Sequence, residues 1–214
     1  MKLYERVVLT GADHNAEWML PWFFKNYKKH NKLPVVMADF GMTPKGLTFA
    51  KKHSAEIINL KQNNEKGWFL KPKAMMTCNS QFTVWIDIDC EVLGNVEPIF
   101  KLVEPEKLAM VQDHPWIKRR GELWHNSGVV AFYRKPRILR AWMDEVTTAK
   151  CRGDQEVLHA MLSPITKITY IKDLPHKYNV LRIDVDDGNV PENPVIIHWT
   201  GSKGKDEIRS KMNA

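Results

Sequence analysis

The chain reads as a single α/β domain with a mostly parallel central sheet and helices on both faces, and three observations lead there. Apolar strand-like runs alternate with segments of helical period along most of its 214 residues, and strands alternating with helices at this pitch argue for crossover connections and parallel pairing. One run, Phe82-Thr-Val-Trp-Ile-Asp-Ile-Asp, stays apolar until it closes on two carboxylates. That is how a buried strand behaves where it reaches the sheet edge at which parallel α/β proteins bind ligands. Finally, at 43% hydrophobic and 27% charged residues, the chain is long enough for one well-buried core.

The elements follow in order. Arg6 to Thr10 forms a strand that ends at the loop Gly11-Ala-Asp-His-Asn. Met19, Phe23 and Tyr27 are spaced four apart and mark one face of a helix over 17–29. Leu33 to Gly41 is a second strand, followed by a turn at Thr43-Pro44, a helix from about Lys45 to His53 and a short strand over 55–60. Residues 71–80 suit a helix leading into the strand with the two carboxylates. Further strands fall at 108–112, 127–133 and 195–199, with helices over 136–146 and from Asp154 onward. No repeat, low-complexity tract or linker interrupts the series, so the domain occupies 1–200. Residues 201–214, of mixed charge and with few apolar side chains, read as a loosely tied basic tail.

A net charge of +7 predicts an anionic partner. Scattered positive charges and the lack of a recognised module argue against nucleic acid. A phosphorylated small molecule remains, and the basic surface also permits peripheral contact with an anionic membrane. No segment approaches the ~18 apolar residues of a membrane span, and the first residues lack a long apolar stretch. Cys78, Cys90 and Cys151 are too few and too scattered for a disulfide framework or a zinc site. The expectation is therefore a cytoplasmic protein with reduced thiols.

Asp87 and Asp89 lie two apart, so on a strand they face the same side while Ile86 and Ile88 face the other. Two like charges on one face repel unless a cation sits between them, which makes an oxygen-ligand site for Mg2+ or Mn2+ the economical reading. Set against it is a polar strand end that merely caps a neighbouring helix, and for so short a pattern alone that is the better reading.

Six fragments in order shift that balance. They are Gly11-Ala-Asp-His-Asn; Trp85-Ile-Asp-Ile-Asp-Cys-Glu-Val-Leu-Gly-Asn-Val-Glu-Pro-Ile-Phe; Asn126-Ser-Gly-Val-Val-Ala-Phe; Gly153-Asp-Gln-Glu-Val-Leu; Leu174-Pro-His-Lys-Tyr-Asn; and Ile197-His-Trp-Thr-Gly. Together they resemble the motifs of GT-A fold glycosyltransferases, Rossmann-like enzymes that use nucleotide diphosphate sugars. The chain is most similar to family 8, the group of glycogenin and the bacterial lipopolysaccharide galactosyl- and glucosyltransferases.

The resemblance implies roles. Asp87, Asp89 and His198 would hold the metal, Mn2+ or Mg2+, and two carboxylates with an imidazole suit Mn2+ better than Ca2+. Asp13 and Asn15 would touch base and ribose, although capping of their own loop explains them nearly as well. Lys71 would touch phosphate or donor sugar, against a surface lysine at a helix start. Asn126 would contact the sugar, with Gly128 permitting close backbone approach, and Asp113 is a further sugar contact. Asp154 would orient the sugar and Gln155 would lie beneath the anomeric carbon, against a helix N-cap and its neighbour. Gly201 closes the last motif. The family's diphosphate lysine falls on Gly204, which leaves Lys203 and Lys205 on either side as substitutes.

The implied activity is transfer of a hexose, UDP-linked by preference, to a glycan, a lipid-linked glycan or another hydroxyl acceptor, with retention of configuration. Two other readings stand beside it. A haloacid-dehalogenase-type phosphotransferase also places Asp-x-Asp at a strand end, but needs Thr or Val where this chain has Glu91. The other is a non-catalytic nucleotide-sugar-binding domain.

Overall fold

The structure is a computed structural model that describes residues 2–60, 67–151 and 153–213. Strand β1 (Tyr4–Ala12) is followed by a 3-10 turn over Glu17–Met19 and helix α1 (Leu20–His30), then β2 (Val35–Asp39), α2 (Pro44–His53) and β3 (Glu56–Asn59). The four-residue spacing does mark the packed face of the first helix, since Met19, Phe23 and Tyr27 are all buried. Thr43 caps α2 by accepting from the Gly46 N–H, and Pro44 occupies its first turn, where its missing N–H costs nothing. Next come α3 (Lys71–Thr77), β4 (Ser80–Ile86), β5 (Cys90–Val92), β6 (Leu108–Gln112), α4 (His114–Arg120), β7 (His125–Tyr133), α5 (Arg137–Glu145), α6 (Asp154–Met161) and α7 (Pro164–Tyr170). The last third holds β8 (Ile171–Asp173), a 3-10 turn over His176–Tyr178, β9 (Val180–Leu181), α8 (Arg182–Asp186), β10 (Ile196–His198) and α9 (Gly201–Asn213).

Seven strands form the main sheet in the order β3-β2-β1-β4-β7-β6-β8. It is parallel at β3-β2, β2-β1, β1-β4 and β6-β8, while β7 runs antiparallel to both of its neighbours. Side chains of β1 alternate between two cores, Val8 into one and Val7 and Leu9 into the other, so the sheet is covered on both faces.

A second sheet, β5-β10-β9, decides the site. β5 starts one residue after Asp89, and β10 pairs with it antiparallel, setting His198 opposite Cys90. A histidine more than a hundred positions downstream is thereby delivered to the carboxylates.

Two expectations need correction. Asp87 and Asp89 are not on a strand: β4 ends at Ile86, and both stand in the turn to β5, closed by a bond from the Cys90 N–H to the Asp87 carbonyl. Nor is the segment after Thr200 loosely tied. Residues 201–213 are helical and anchored by Ile208, which is fully buried in the same core as Val8; Ala214 lies outside the described residues. Among those residues no helix is long and apolar enough to cross a membrane.

Candidate active site

A cavity of about 700 Å³ opens where β1 and β4 end and β7 begins, and this is the size range of small-molecule and cofactor sites. Asp87, Asp89 and His198 share its floor. His198 Nε2 lies 3.2 Å from Asp89 Oδ1 and 3.7 Å from Asp87 Oδ2. Donor atoms that share an octahedral ion with bonds near 2.1 Å stand about 3 Å apart or a little more. His198 thus stands at ligand spacing from a carboxylate oxygen of each aspartate, and Asp89, His198 and Cys90 have ligand atoms that all lie within 4.8 Å of one another, the spacing of a possible cation site. The Cys90 thiol is fully buried, and without a metal it is pushed well above its ordinary range by burial and by Asp89 and Asp87.

The charges are unequal. Burial works to lower the His198 pKa, yet Asp89 and Asp87 outweigh it and raise the imidazole. Burial likewise works to raise Asp89, but His198 and Lys205 hold it below the usual carboxylate range. In Asp87 burial wins over Lys71 and His198, and its pKa is raised.

Asn126 fixes the imidazole. Its side-chain oxygen accepts from the Gly128 N–H and from Asn179 Nδ2, both at 2.9 Å, and lies 3.2 Å from His198 Nδ1. The Gly128 N–H identifies that atom as oxygen, and an amide oxygen only accepts. Nδ1 therefore carries a proton, and Nε2 is the nitrogen turned toward the carboxylates. Gly128 is needed for a steric reason: a Cβ there would fall 2.2 Å from the His198 ring. The close approach that this glycine permits is to the histidine.

Asn126 Nδ2 donates to Asp113 Oδ2 and to Gln155 Oε1, each at 3.0 Å. Gln155 Oε1 also accepts from the Ser127 N–H at 3.2 Å, while its Nε2 donates to Asp113 Oδ2 at 2.9 Å. Asp113 Oδ1 caps α4 at the Trp116 N–H. Asn126 and Asp113 thus hold partners within the protein while both also line the cavity. Gln155 stands on the cavity wall with both ends of its amide engaged.

Lys71 is no surface lysine. Its buried ammonium lies 3.0 Å from Asp87 Oδ1, 3.2 Å from Asp154 Oδ2 and 3.1 Å from the Ser127 carbonyl. Burial works to lower its pKa, but Asp154 and Asp87 raise it above the ordinary lysine range, so it is a permanent cation. Asp154 is not the N-cap of α6, since Gly153 holds that place without a side-chain cap bond. The Trp85 indole N–H donates to Asp87 Oδ1 at 2.6 Å and orients that carboxylate.

At the rim, Asp13 accepts from the Asn15 and Ala16 N–H groups, both at 2.9 Å, and so shapes its own loop, while Asp13 and Asn15 also face the cavity. The two C-terminal lysines separate. Lys205 lines the cavity 3.8 Å from Asp89 Oδ2, whereas Lys203 and Gly201 lie outside its wall. A Cβ at Gly204 would fall 2.1 Å from the Trp199 carbonyl oxygen, so the backbone there has no room for a larger residue. Sequence reasoning assigned no role to Asn179 or to the Trp85 indole. The Leu174-Pro-His-Lys-Tyr-Asn fragment carried the signal for Asn179.

This sheet order and cavity place the chain among proteins of the GT-A glycosyltransferase fold. No protein-family model and no curated protein sequence matches it. Solved structures match in fold. Apo GlyE, a glycosyltransferase of Streptococcus pneumoniae TIGR4, shares 18% identity over 92% of this chain, with a TM-score of 0.70. The chain spans 55% of the length of GlyE. An active-site mutant of LgtC shares 11% identity, covering 97% of this chain and 95% of LgtC, with a TM-score of 0.67. The galactosyltransferase LgtC in complex with donor and acceptor sugar analogs shares 12% over 91% of this chain and 87% of its own, with a TM-score of 0.65.

Proposed function

We propose that this chain is a metal-dependent glycosyltransferase that moves a hexose from a nucleotide diphosphate sugar, a UDP sugar by preference, to a hydroxyl of a glycan or lipid-linked glycan, with retention of configuration. The observation that carries this reading is His198 standing 3.2 Å from Asp89 and 3.7 Å from Asp87 on the floor of a cavity in a GT-A fold. The solved complex of LgtC with donor and acceptor sugar analogs supports a two-substrate cavity in this fold.

Cleaving a sugar–phosphate bond leaves fresh negative charge on the diphosphate. A Mn2+ or Mg2+ ion held by Asp87, Asp89 and His198 would supply charge stabilisation there. Lys205, half-exposed on the cavity wall, supplies a mobile cation for the same oxygens. Lys71 is spent on Asp87 and Asp154, and keeps that pair of carboxylates folded together beneath the sugar. Gln155 presents a fixed amide to the reacting carbon and cannot take up a proton. With Asp113 and Asp154 both engaged, the leaving diphosphate is the proton acceptor this geometry favours.

The phosphotransferase reading loses ground at Glu91. Its carboxylate accepts from the Trp199 indole at 2.8 Å and pairs with Lys211, a structural tie between β5 and α9. A screen of nucleotide sugars with Mn2+, reading released nucleoside diphosphate, tests the proposal. Metal-dependent release that Asp89→Asn abolishes supports it. Tight sugar-nucleotide binding without release in any acceptor mixture would leave a binding domain instead.

A further inference from the structure

Three metal-ligating side chains also meet away from the carboxylate turn. His114 opens α4, His176 opens the 3-10 turn, and Asp184 lies in α8; their ligand atoms are all within 4.8 Å of one another. His176 Nε2 is 3.2 Å from Asp184 Oδ2, and the two imidazoles meet edge to face with centroids 4.6 Å apart. Asp184 is buried, and its Oδ2 also accepts the Leu181 N–H at 3.1 Å. That bond orients the carboxylate independently of either imidazole, as outer-shell partners orient the ligands of metal sites.

The donor set indicates the ion. In a tetrahedral site with bonds of 2.0–2.2 Å the donors stand roughly 3.3–3.6 Å apart, and the 3.2 Å between His176 and Asp184 is already close to that. His114 is exposed, which leaves its side chain room to turn and close the remaining distance. Two imidazoles with one carboxylate suit Zn2+ better than an ion that prefers carboxylate and water oxygens.

None of the three lines the large cavity, but their chain neighbours do: Pro115 and Trp116 from α4, Leu181 from the end of β9 and Ile183 from α8. We propose that His114, His176 and Asp184 form a second divalent-cation site, of Zn2+ type, which ties α4 to α8 beside the cavity. It is separate from Asp87, Asp89 and His198 and does not rest on the glycosyltransferase reading.

Calorimetric titration with Zn2+ alone tests it. In the Asp89→Ala background, where the first cation site is disabled, one Zn2+ per chain is expected to bind. Adding His176→Ala or the exposed His114→Gln should weaken that binding by more than about 100-fold, beyond what loss of an outer-shell partner costs. The same two substitutions in the otherwise unaltered chain should remove one equivalent of bound Zn2+, with circular dichroism unchanged. Zn2+ affinity and stoichiometry that neither substitution alters, or no Zn2+ bound in the Asp89→Ala background, would overturn the proposal.

Discussion

Gly128 and His198 occupy adjoining space so closely that a side-chain carbon at position 128 would lie 2.2 Å from the imidazole. The glycine of β7 therefore belongs to the histidine of β10, although seventy positions separate them. Gly128→Ala should push the ring off the carboxylates. We expect a stability loss of about 1–3 kcal/mol, as for other overpacked cores, together with loss of Mn2+ binding. Mn2+ titration beside a urea melt reads both; unchanged Mn2+ affinity would show that the ring position does not matter.

Asn126 should act on the metal without touching it. Asn126→Ala removes the oxygen that holds the proton on His198 Nδ1, and outer-shell losses of this kind typically cost about 10- to 100-fold in metal affinity. The Michaelis constant for Mn2+ should rise by that factor while the constant for the donor changes less. The reverse pattern would make Asn126 a sugar contact after all.

Much of this was legible in the sequence because the signals are local. Val7, Val8 and Leu9 announce a central strand, and Phe23 and Tyr27 a packed helix face. The carboxylate turn is legible but its conformation is not: a run as apolar as Phe82 to Ile86 does not show where the strand ends, and β4 ends at Ile86 with one last bond from the Asp87 N–H to the Gly128 carbonyl. β9 and β10 have two and three residues, too few for a period, so the pairing that carries His198 to Asp89 was recoverable only from the resemblance. α9 was mistaken for a tail because Ile208 is its only large buried side chain, and one apolar group makes no stripe. α4 and α7 were overlooked although Asp113-His-Pro and Ser163-Pro each give a cap followed by proline, a start signal that was there to be read. The roles of Lys71 and Asn126 depend on partners from other elements, which no local pattern encodes.

Lys71 should matter more for folding than for donor contact. Lys71→Met leaves Asp87 and Asp154 buried without their shared cation, and breaking a buried pair from one side costs about 3–5 kcal/mol. Lys203→Met, an exposed control, should stay within about 0.5 kcal/mol of the parent. Urea unfolding at neutral pH compares them, and equal stabilities would refute the counter-ion role.

Acid should act on His198 in opposite directions with and without metal. Folding raises its pKa because Asp89 and Asp87 outweigh burial. In metal-free protein that stabilisation is complete below the unfolded value of about 6.5 and is lost as the pH rises through the folded value. Metal needs the Nε2 lone pair, so Mn2+ affinity should fall about tenfold per pH unit below the folded pKa. The metal-free parent should therefore lose its stability advantage over His198→Gln as the pH rises from the unfolded value of about 6.5 through the raised folded value, while the Mn2+-induced rise in melting temperature grows. A Mn2+ effect that does not vary with pH would remove His198 from the metal shell.

The stereochemical outcome tests what Gln155 does. Its oxygen accepts from Asn126 Nδ2 and the Ser127 N–H, and its nitrogen donates to Asp113, so the amide is held in place and, being neutral and non-basic, takes up no proton. Such a group can stabilise positive charge at the anomeric carbon but cannot act as a base. Gln155→Ala should slow turnover without abolishing it, short of the roughly 100- to 10,000-fold that loss of a general base costs. Inversion would instead require a free carboxylate. Asp113 is committed to Asn126, Gln155 and the Trp116 N–H, and Asp154 is paired with Lys71. Either would have to give up those partners to activate an acceptor hydroxyl. Proton NMR of the first-formed product from an α-linked donor should therefore show an α linkage. A β linkage would mean that Asp113 or Asp154 leaves its partners during turnover, and either Asp113→Asn or Asp154→Asn should then be as inactive as Asp89→Asn.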